Sequence, residues 1–228
     1  MKHTQIWSVL AIGIICLFSV SCENENDSIE SLSQNELTAT INGFDDLIKE
    51  ALEKEPIVTS KTFGPVETVD HVDLSRYPGR WYEIASFPNF FSQNCNCTTA
   101  DYTSIEGGVS VFNNCILATT GNTSSINGTA LVADTTSNAK FDLFLGPVSS
   151  DYWIIDLVSF NNETPYDFSV VSGPSRETLF ILSRTPRIET FKQKIAVVGI
   201  LINLIKQGYD IRNLVATEQY SDCEYPEL

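Results

Sequence analysis

The chain has 228 residues, of which 43% are hydrophobic and 19% are charged, and this suits one domain with a real core plus appendages. Its formal net charge is −15, which excludes nucleic acid as a partner because phosphates are bound through clustered Lys and Arg. The same balance argues against electrostatic adsorption of the chain to anionic lipid.

The N-terminus has the pattern of an export signal. Lys2 and His3 precede an apolar run over residues 6–20, which is short for a membrane span and fits a signal peptide. Small residues then lead to Cys22, as in bacterial lipoproteins, whose Cys is acylated after cleavage. We predict a signal peptide over residues 1–21 and lipidation of Cys22, which makes the chain an outer-membrane lipoprotein of a cell envelope. The alternative is an ordinary signal cut near Ser21 or Cys22, and a secreted protein.

Residues 22–68 are predicted to form an acidic tether and linker. Residues 23–37 are rich in Glu, Asn and Ser, a composition that cannot offset the entropy of ordering. Apolar residues recur near helical spacing over residues 37–54, which allows a short helix there. Pro56 and Pro65 then interrupt the chain, so we place the start of the folded domain at Val69.

The domain, residues 69–228, begins with short β-rich runs separated by turn residues. Strands are predicted over residues 80–87, 98–105, 109–117, 125–133, 141–145, 152–160, 166–172, 178–184 and 213–217. Their number and regular spacing predict an all-β fold, either an up-and-down barrel or a sandwich.

Residues 189–207 break this pattern with helical periodicity. Glu189 is expected in the first turn and Lys206 in the last, and Gly208 follows as a C-cap. One helical face gathers the apolar residues Phe191, Ile195, Val198, Leu201, Ile202 and Ile205.

Three segments resemble the signature motifs of the lipocalin family. Gly-Arg-Trp at residues 79–81 resembles its Gly-x-Trp motif, and Ile-Leu-Ser-Arg at residues 181–184 resembles its last-strand motif. Residues 152–156 resemble the middle motif, although its usual Thr-Asp-Tyr is not intact. Over residues 69–223 the chain resembles bacterial outer-membrane lipocalins and apolipoprotein D. The resemblance implies an eight-stranded up-and-down antiparallel β-barrel with a C-terminal α-helix.

The resemblance also implies how the barrel is closed. The Trp of the first motif fills one end of a lipocalin barrel, and the Arg of the last motif stacks over its ring in a cation–π contact. These residues are Trp81 and Arg184 here, and Gly79 allows the tight bend by which the chain enters the barrel.

The cysteines fit two disulfides and one lipidated thiol. Six Cys occur, of which Cys16 lies in the predicted signal and Cys22 is the acylation site. The segment that begins at Cys97 resembles the one that bonds the C-terminal tail in apolipoprotein D, which implies Cys97–Cys223. Cys95 and Cys115 then remain on adjacent strands, where a bond between them is natural.

The predicted function is to carry a small apolar ligand of the fatty acid or lysophospholipid class, as the resemblance implies. Tyr102 and Asn113 match polar pocket positions of relatives, and Phe180 matches a pocket aromatic. Strand alternation turns residues 141, 143 and 145 inward and Asp142 to water. The alternative for each position is plain barrel filling. The predicted ligand-binding residues are Tyr102, Asn113, Phe141, Leu143, Leu145, Phe180 and Leu182.

An enzyme is not expected, and neither a cofactor nor a metal is predicted. The two His residues, His3 and His71, form neither a zinc site nor a catalytic array with Ser and Asp. Two rival functions stay open. A lipocalin-type enzyme acting on a bound lipid needs a titratable group with a shifted pKa inside the barrel. A surface interaction protein needs a barrel filled by its own side chains. Residues Phe87, Phe90 and Phe91 either insert into a bilayer or pack down as a lid.

Overall fold

The structure is a computed structural model that describes residues 63–90, 92–162 and 165–227. The predicted signal peptide, Cys22, the tether and the helix at 37–54 lie outside the described residues. Eight strands make up the main sheet: β1 (Gly79–Ser86), β2 (Cys95–Ile105), β3 (Gly108–Leu117), β4 (Thr123–Val132), β5 (Lys140–Leu145), β6 (Val148–Val158), β7 (Phe168–Ser172) and β8 (Leu179–Ser183).

The sheet closes on itself. Each strand pairs antiparallel with the next in sequence, and β1 pairs with both β8 and β2. Because consecutive strands are joined directly, the topology is up-and-down. The predicted eight-stranded antiparallel barrel is confirmed.

Turns and a bulge set strand ends that the sequence placed differently. β6 begins at Val148, ahead of the predicted residue 152, because Gly146 takes a positive φ of 56° and the two-residue turn pairs Leu145 directly with Val148. β2 begins at Cys95, ahead of the predicted residue 98. A register shift between Asn96 and Thr99 lets its pairing with β3 continue past the irregularity.

Helix α1 (Phe191–Gln207) follows the barrel. The side chain of Thr190 accepts a hydrogen bond from the backbone N–H of Gln193, and the Gln193 side chain accepts one from the N–H of Thr190. This capping box starts the helix at Phe191, so the expectation that Glu189 lies in the first turn is wrong. Gly208 ends the helix with φ 91°, as predicted. Within the described part of the chain, no helix has the length and hydropathy of a membrane span.

The helix lies against the outer side of the barrel. The amide of Asn203 donates to the Asp156 carboxylate of β6, and the Tyr209 hydroxyl donates to Ser172 of β7. Ile200 and Leu204 are each 1% exposed and are the buried residues of the helix.

The apolar face that the sequence pattern identified is not the face that packs on the barrel. It lies on the opposite side of the helix and is turned to solvent. Four residues of this solvent-facing apolar side are between 41% and 45% exposed: Phe191, Ile195, Ile202 and Ile205.

The C-terminal segment fills the gap where β1 and β2 separate. A short strand, β9 (Val215–Ala216), pairs with the end of β1. The Gln219 side chain donates to the carbonyls of Glu83 and Thr98, which ties the two strands together through the tail.

Two disulfides hold this region, and they join the pairs expected from the sequence. Cys97 is bonded to Cys223 over a sequence separation of 126 residues, and Cys95 is bonded to Cys115 over 20. In the chain-entropy model the longer loop contributes about 5 kcal/mol and the shorter about 3 kcal/mol. The tail is therefore a stable part of the barrel wall.

Candidate functional site

Strand register identifies the residues that point into the barrel, because directly opposed residues on paired strands point to the same side of a sheet. Trp81 lies opposite Ala100, Ala100 opposite Asn113, and Asn113 opposite Ile126. Trp81 has no exposed surface and belongs to the core cluster, so the whole row points inward.

One end of the barrel is closed by Trp81 and Arg184. The guanidinium carbon of Arg184 lies 3.7 Å from the centroid of the Trp81 ring, and the indole N–H donates to the carbonyl of Tyr77 at 3.0 Å. Gly79 has φ 101°, and a Cβ there would lie 3.2 Å from Arg184 Nη1. The guanidinium also donates to five backbone carbonyls, those of Arg76, Tyr77, Pro78, Arg80 and Tyr166.

This plug keeps its charge. Burial lowers the pKa of Arg184 to about 10, which leaves the guanidinium protonated at neutral pH. A buried cation needs hydrogen-bond acceptors, and carbonyls here accept from all three guanidinium nitrogens.

A hydrogen-bonded group of tyrosines lies next to the plug. The Tyr152 hydroxyl is 2.7 Å from that of Tyr77 and 3.1 Å from that of Tyr102, and Tyr77 is 3.0 Å from Ser169 Oγ. Burial raises the pKa of Tyr77 to about 12 and also raises the pKa values of Tyr102 and Tyr152. All three hydroxyls therefore remain protonated at neutral pH, and each can donate or accept within this group.

All seven predicted ligand-binding residues lie on the interior face, in two environments. Tyr102 and Phe141 pack with Tyr77 and Tyr152 at the closed end, and we call these four rings the tyrosine layer. The ring centroids of Phe141 and Tyr152 are 5.9 Å apart. Leu145 and Leu182 are also buried in the core. The interior is more open around the three residues that are only half-buried, which are Asn113, Leu143 and Phe180.

Asn113 is the polar feature of this more open part. Its Oδ1 atom is buried and accepts no hydrogen bond from the described residues. The residues opposite it, Ala100 and Ile126, have no side-chain donor. An unpaired buried carbonyl costs about 1–3 kcal/mol, so its presence in the interior needs a compensating donor.

A cavity of about 580 Å³ lies where β1 ends, under the β1–β2 connection and beside β9. Its buried carboxylate is Glu83, which is 5% exposed and accepts hydrogen bonds from the hydroxyls of Thr217 at 2.6 Å and Ser86 at 3.0 Å. Burial raises the pKa of Glu83, while these hydroxyls act in the opposite direction. None of the seven predicted residues lines this cavity.

The sequence contained a signal for some of the residues that the prediction missed. Glu83 has the alternation phase of Trp81, but the expectation that charged side chains stay out of interiors hides it. Tyr152 shares its face with Phe141, its partner on the neighbouring strand. Tyr77 precedes β1, so no strand periodicity points to it.

The predicted aromatic cluster near the open end is divided. Phe87 is 7% exposed, and its ring centroid lies 6.4 Å from that of Tyr209. Phe90 is 88% exposed, and Phe91 lies outside the described residues. Of the two described members, Phe87 packs down and Phe90 projects into solvent.

Residues 72–219 match the family model of the lipocalin-like domain. The chain belongs to the lipocalin family. It is similar to temperature-induced lipocalin-1 of Arabidopsis thaliana, with 36% identity over 167 residues that cover 68% of this chain and 83% of that protein. It is 31% identical over 157 residues to outer membrane lipoprotein Blc of Escherichia coli strain K12, which covers 68% and 83% of the two chains. Insecticyanin from the tobacco hornworm Manduca sexta shares the fold, with a TM-score of 0.55 at 20% identity over 71% of this lipocalin and 87% of that chain.

The plug of this lipocalin predicts that Arg184→Lys is strongly destabilising although it keeps the charge. An ammonium cannot stack flat on Trp81 or reach all five carbonyls. We expect the free energy of unfolding to fall by about 2–4 kcal/mol. Urea denaturation checks this against Arg212→Lys, whose side chain is 57% exposed and should change stability by less than about 0.5 kcal/mol. Equal effects of the two variants would contradict the role of Arg184.

Glu83 predicts a pH-dependent stability. Because its pKa is raised in the folded protein, the folded state retains the proton more readily, and stability falls as pH rises from the ordinary carboxyl range towards the raised pKa. Glu83→Gln should therefore be more stable than the wild type at neutral pH and lose that advantage near about pH 4. Urea titrations at both pH values test this, with the exposed turn variant Glu106→Gln as the control. A stability difference that does not change with pH would contradict the prediction.

Proposed function

We propose that this lipocalin binds one small, largely apolar ligand of the fatty acid or lysophospholipid class and carries it in the cell envelope. The observation that carries the proposal is Asn113 Oδ1, a buried acceptor without a donor on an otherwise apolar interior row. A hydroxyl or other donor on the ligand would pair with it, while the acyl chain contacts Leu143 and Phe180. Ligand sites typically combine such a wall with a few placed polar groups.

The tyrosine layer determines where the ligand lies. Because Tyr77, Tyr102, Phe141 and Tyr152 pack against each other near the plug, the closed end is occupied by protein. The ligand is therefore held towards the open end, beyond the tyrosine layer. Tyr102 and Phe141 would form the floor of the site rather than its walls.

The N-terminal pattern and one relative support an envelope location. The chain carries the predicted signal over residues 1–21 and the predicted acylation site Cys22, and it resembles a protein named outer membrane lipoprotein Blc. An acyl anchor at Cys22 would hold the barrel at a bilayer, where apolar ligands are found. The ligand could then move between the membrane and the barrel without free diffusion of the protein.

One observation favours the rival in which the barrel is filled by its own side chains, namely the packed tyrosine layer. This rival and the carrier differ in the state of the half-buried interior residues. A carrier gains affinity from Asn113 and Phe180, whereas a filled barrel uses them only for packing. The enzyme alternative needs a titratable interior group with a shifted pKa, and Glu83 is such a group. Its carboxylate is engaged by the hydroxyls of Thr217 and Ser86, and none of the seven predicted ligand-binding residues lines its cavity, so we favour the carrier.

The test of the proposal compares two neighbouring asparagines. Asn113 faces inward and Asn114 faces outward, and each has a buried Oδ1 without a donor among the described residues. Asn113→Leu and Asn114→Leu each remove one unpaired acceptor, so both should keep or raise stability by about 1 kcal/mol. Only Asn113→Leu should weaken the displacement of a fluorescent fatty acid by hydroxyl-bearing lipids, by about tenfold.

Two results would count against the proposal. If no lipid displaces the probe from the wild type, the barrel is not a carrier of this class. If both variants weaken binding equally, the loss comes from distortion of β3 and not from a contact with the ligand.

A further inference from the structure

The solvent face of α1 carries an apolar stripe, which we define as Phe191, Ile195, Val198, Ile202 and Ile205. At about 100° per residue these five positions fall within roughly 80° of arc on one side of the helix. Ile200 and Leu204, on the opposite side, are the buried residues of the helix. The helix therefore has a second apolar face that the fold does not use, and contiguous exposed apolar surface of this kind marks an interaction site.

The charges beside the stripe all have one sign. Three of the four lysines in the described residues are Lys192, Lys194 and Lys206, and no Asp or Glu occurs between Thr190 and Tyr209. Lys194 and Lys206 lie about 60° to either side of the centre of the stripe. Lys192 points elsewhere, with its Nζ atom 4.5 Å from the centroid of the Phe160 ring.

The acids at the two ends of the helix are already paired. Glu189 forms an ion pair with Arg187 at 3.0 Å, and Asp210 forms one with Arg212 at 2.6 Å. The surface around the stripe is therefore a local cationic patch on a chain whose net charge is −15. Salt screens charges over about 8–10 Å, so a surface that approaches the stripe meets the lysines more strongly than the distant acids.

We propose that the apolar stripe of α1 is a membrane-docking surface that lies in the interface of an anionic bilayer. An interfacial helix inserts its apolar side chains below the headgroups, while flanking lysines extend their stems along the apolar surface and place their ammonium groups among the phosphates. The stripe between Lys194 and Lys206 has this arrangement.

A second copy of the chain fits the stripe poorly. Two stripes packed against each other would bring four lysines into one interface, and no Asp or Glu between Thr190 and Tyr209 is available to pair with them. An anionic bilayer supplies the opposite charge that a second copy lacks.

The start of the described chain supports this orientation. The Phe63 ring packs against Gly208 at the C-terminal end of α1. Arg176 fixes this junction by donating to the carbonyls of Gly64 at 2.7 Å and Gln207 at 2.9 Å. The described part of the chain thus begins at the C-terminal end of α1. Only this argument about orientation rests on the proposed lipid anchor at Cys22, which would hold the helix side of the barrel towards the bilayer.

Hydroxyl-radical footprinting of the full chain tests the proposal. The protein is mixed with vesicles of phosphatidylcholine and phosphatidylglycerol, and side-chain oxidation is measured by mass spectrometry. We expect severalfold less oxidation of Phe191, Ile195 and Ile202 than in the lipid-free protein. Leu131 and Phe144, which are 39% and 42% exposed on the barrel wall, are internal controls and should be oxidised as before. The double variant Lys194→Glu and Lys206→Glu should lose the protection.

Each other outcome overturns the proposal. Unchanged oxidation of the stripe on vesicles means that it does not dock, and equal protection of Leu131 and Phe144 means non-specific adsorption. Protection that grows with protein concentration without lipid means that a second copy covers the stripe. The lysine double variant should still bind a fluorescent fatty acid, so a failure of docking remains distinguishable from a failure of the carrier function.

Discussion

The contact between Arg184 and Trp81 is the constraint on which the rest of the barrel depends. One guanidinium stacks on the indole and donates to carbonyls before β1, within β1 and before β7. It therefore joins the first and last strands of the barrel at the point where the sheet must close. The charge is tolerated in that position because carbonyls accept from all three guanidinium nitrogens. The plug closes one end of the barrel and leaves the other end for a ligand.

The tyrosine layer extends this closure into the interior. Tyr77 contacts Trp81, and Tyr152 links Tyr77 to Tyr102 through its hydroxyl. The protein thus fills the part of the interior nearest the plug with hydrogen-bonded rings. The ligand that we propose occupies the rest of the interior, with Asn113 beside its polar group. Docking of α1 on a bilayer would bring the barrel close to the source of such ligands.

The sequence predicted the strand count, the barrel closure and the inward phase of Phe141, because a period of two and a few motifs determine them. It did not predict which face of α1 packs. That helix has two apolar faces, and the choice between them depends on where the helix meets β6 and β7, which no local pattern records. Tyr77 and Glu83 were missed for a related reason. Their burial depends on distant partners, namely Ser169 for the first and Thr217 for the second.

The most direct test of the carrier account is native mass spectrometry of the purified protein, with both disulfides intact, after exposure to a lipid extract. We expect a complex with one acyl lipid per chain that is lost on organic extraction, and the mass of the lipid identifies its class. A bare protein mass across many lipids would contradict the account and would mean that the side chains of the protein itself fill the whole interior.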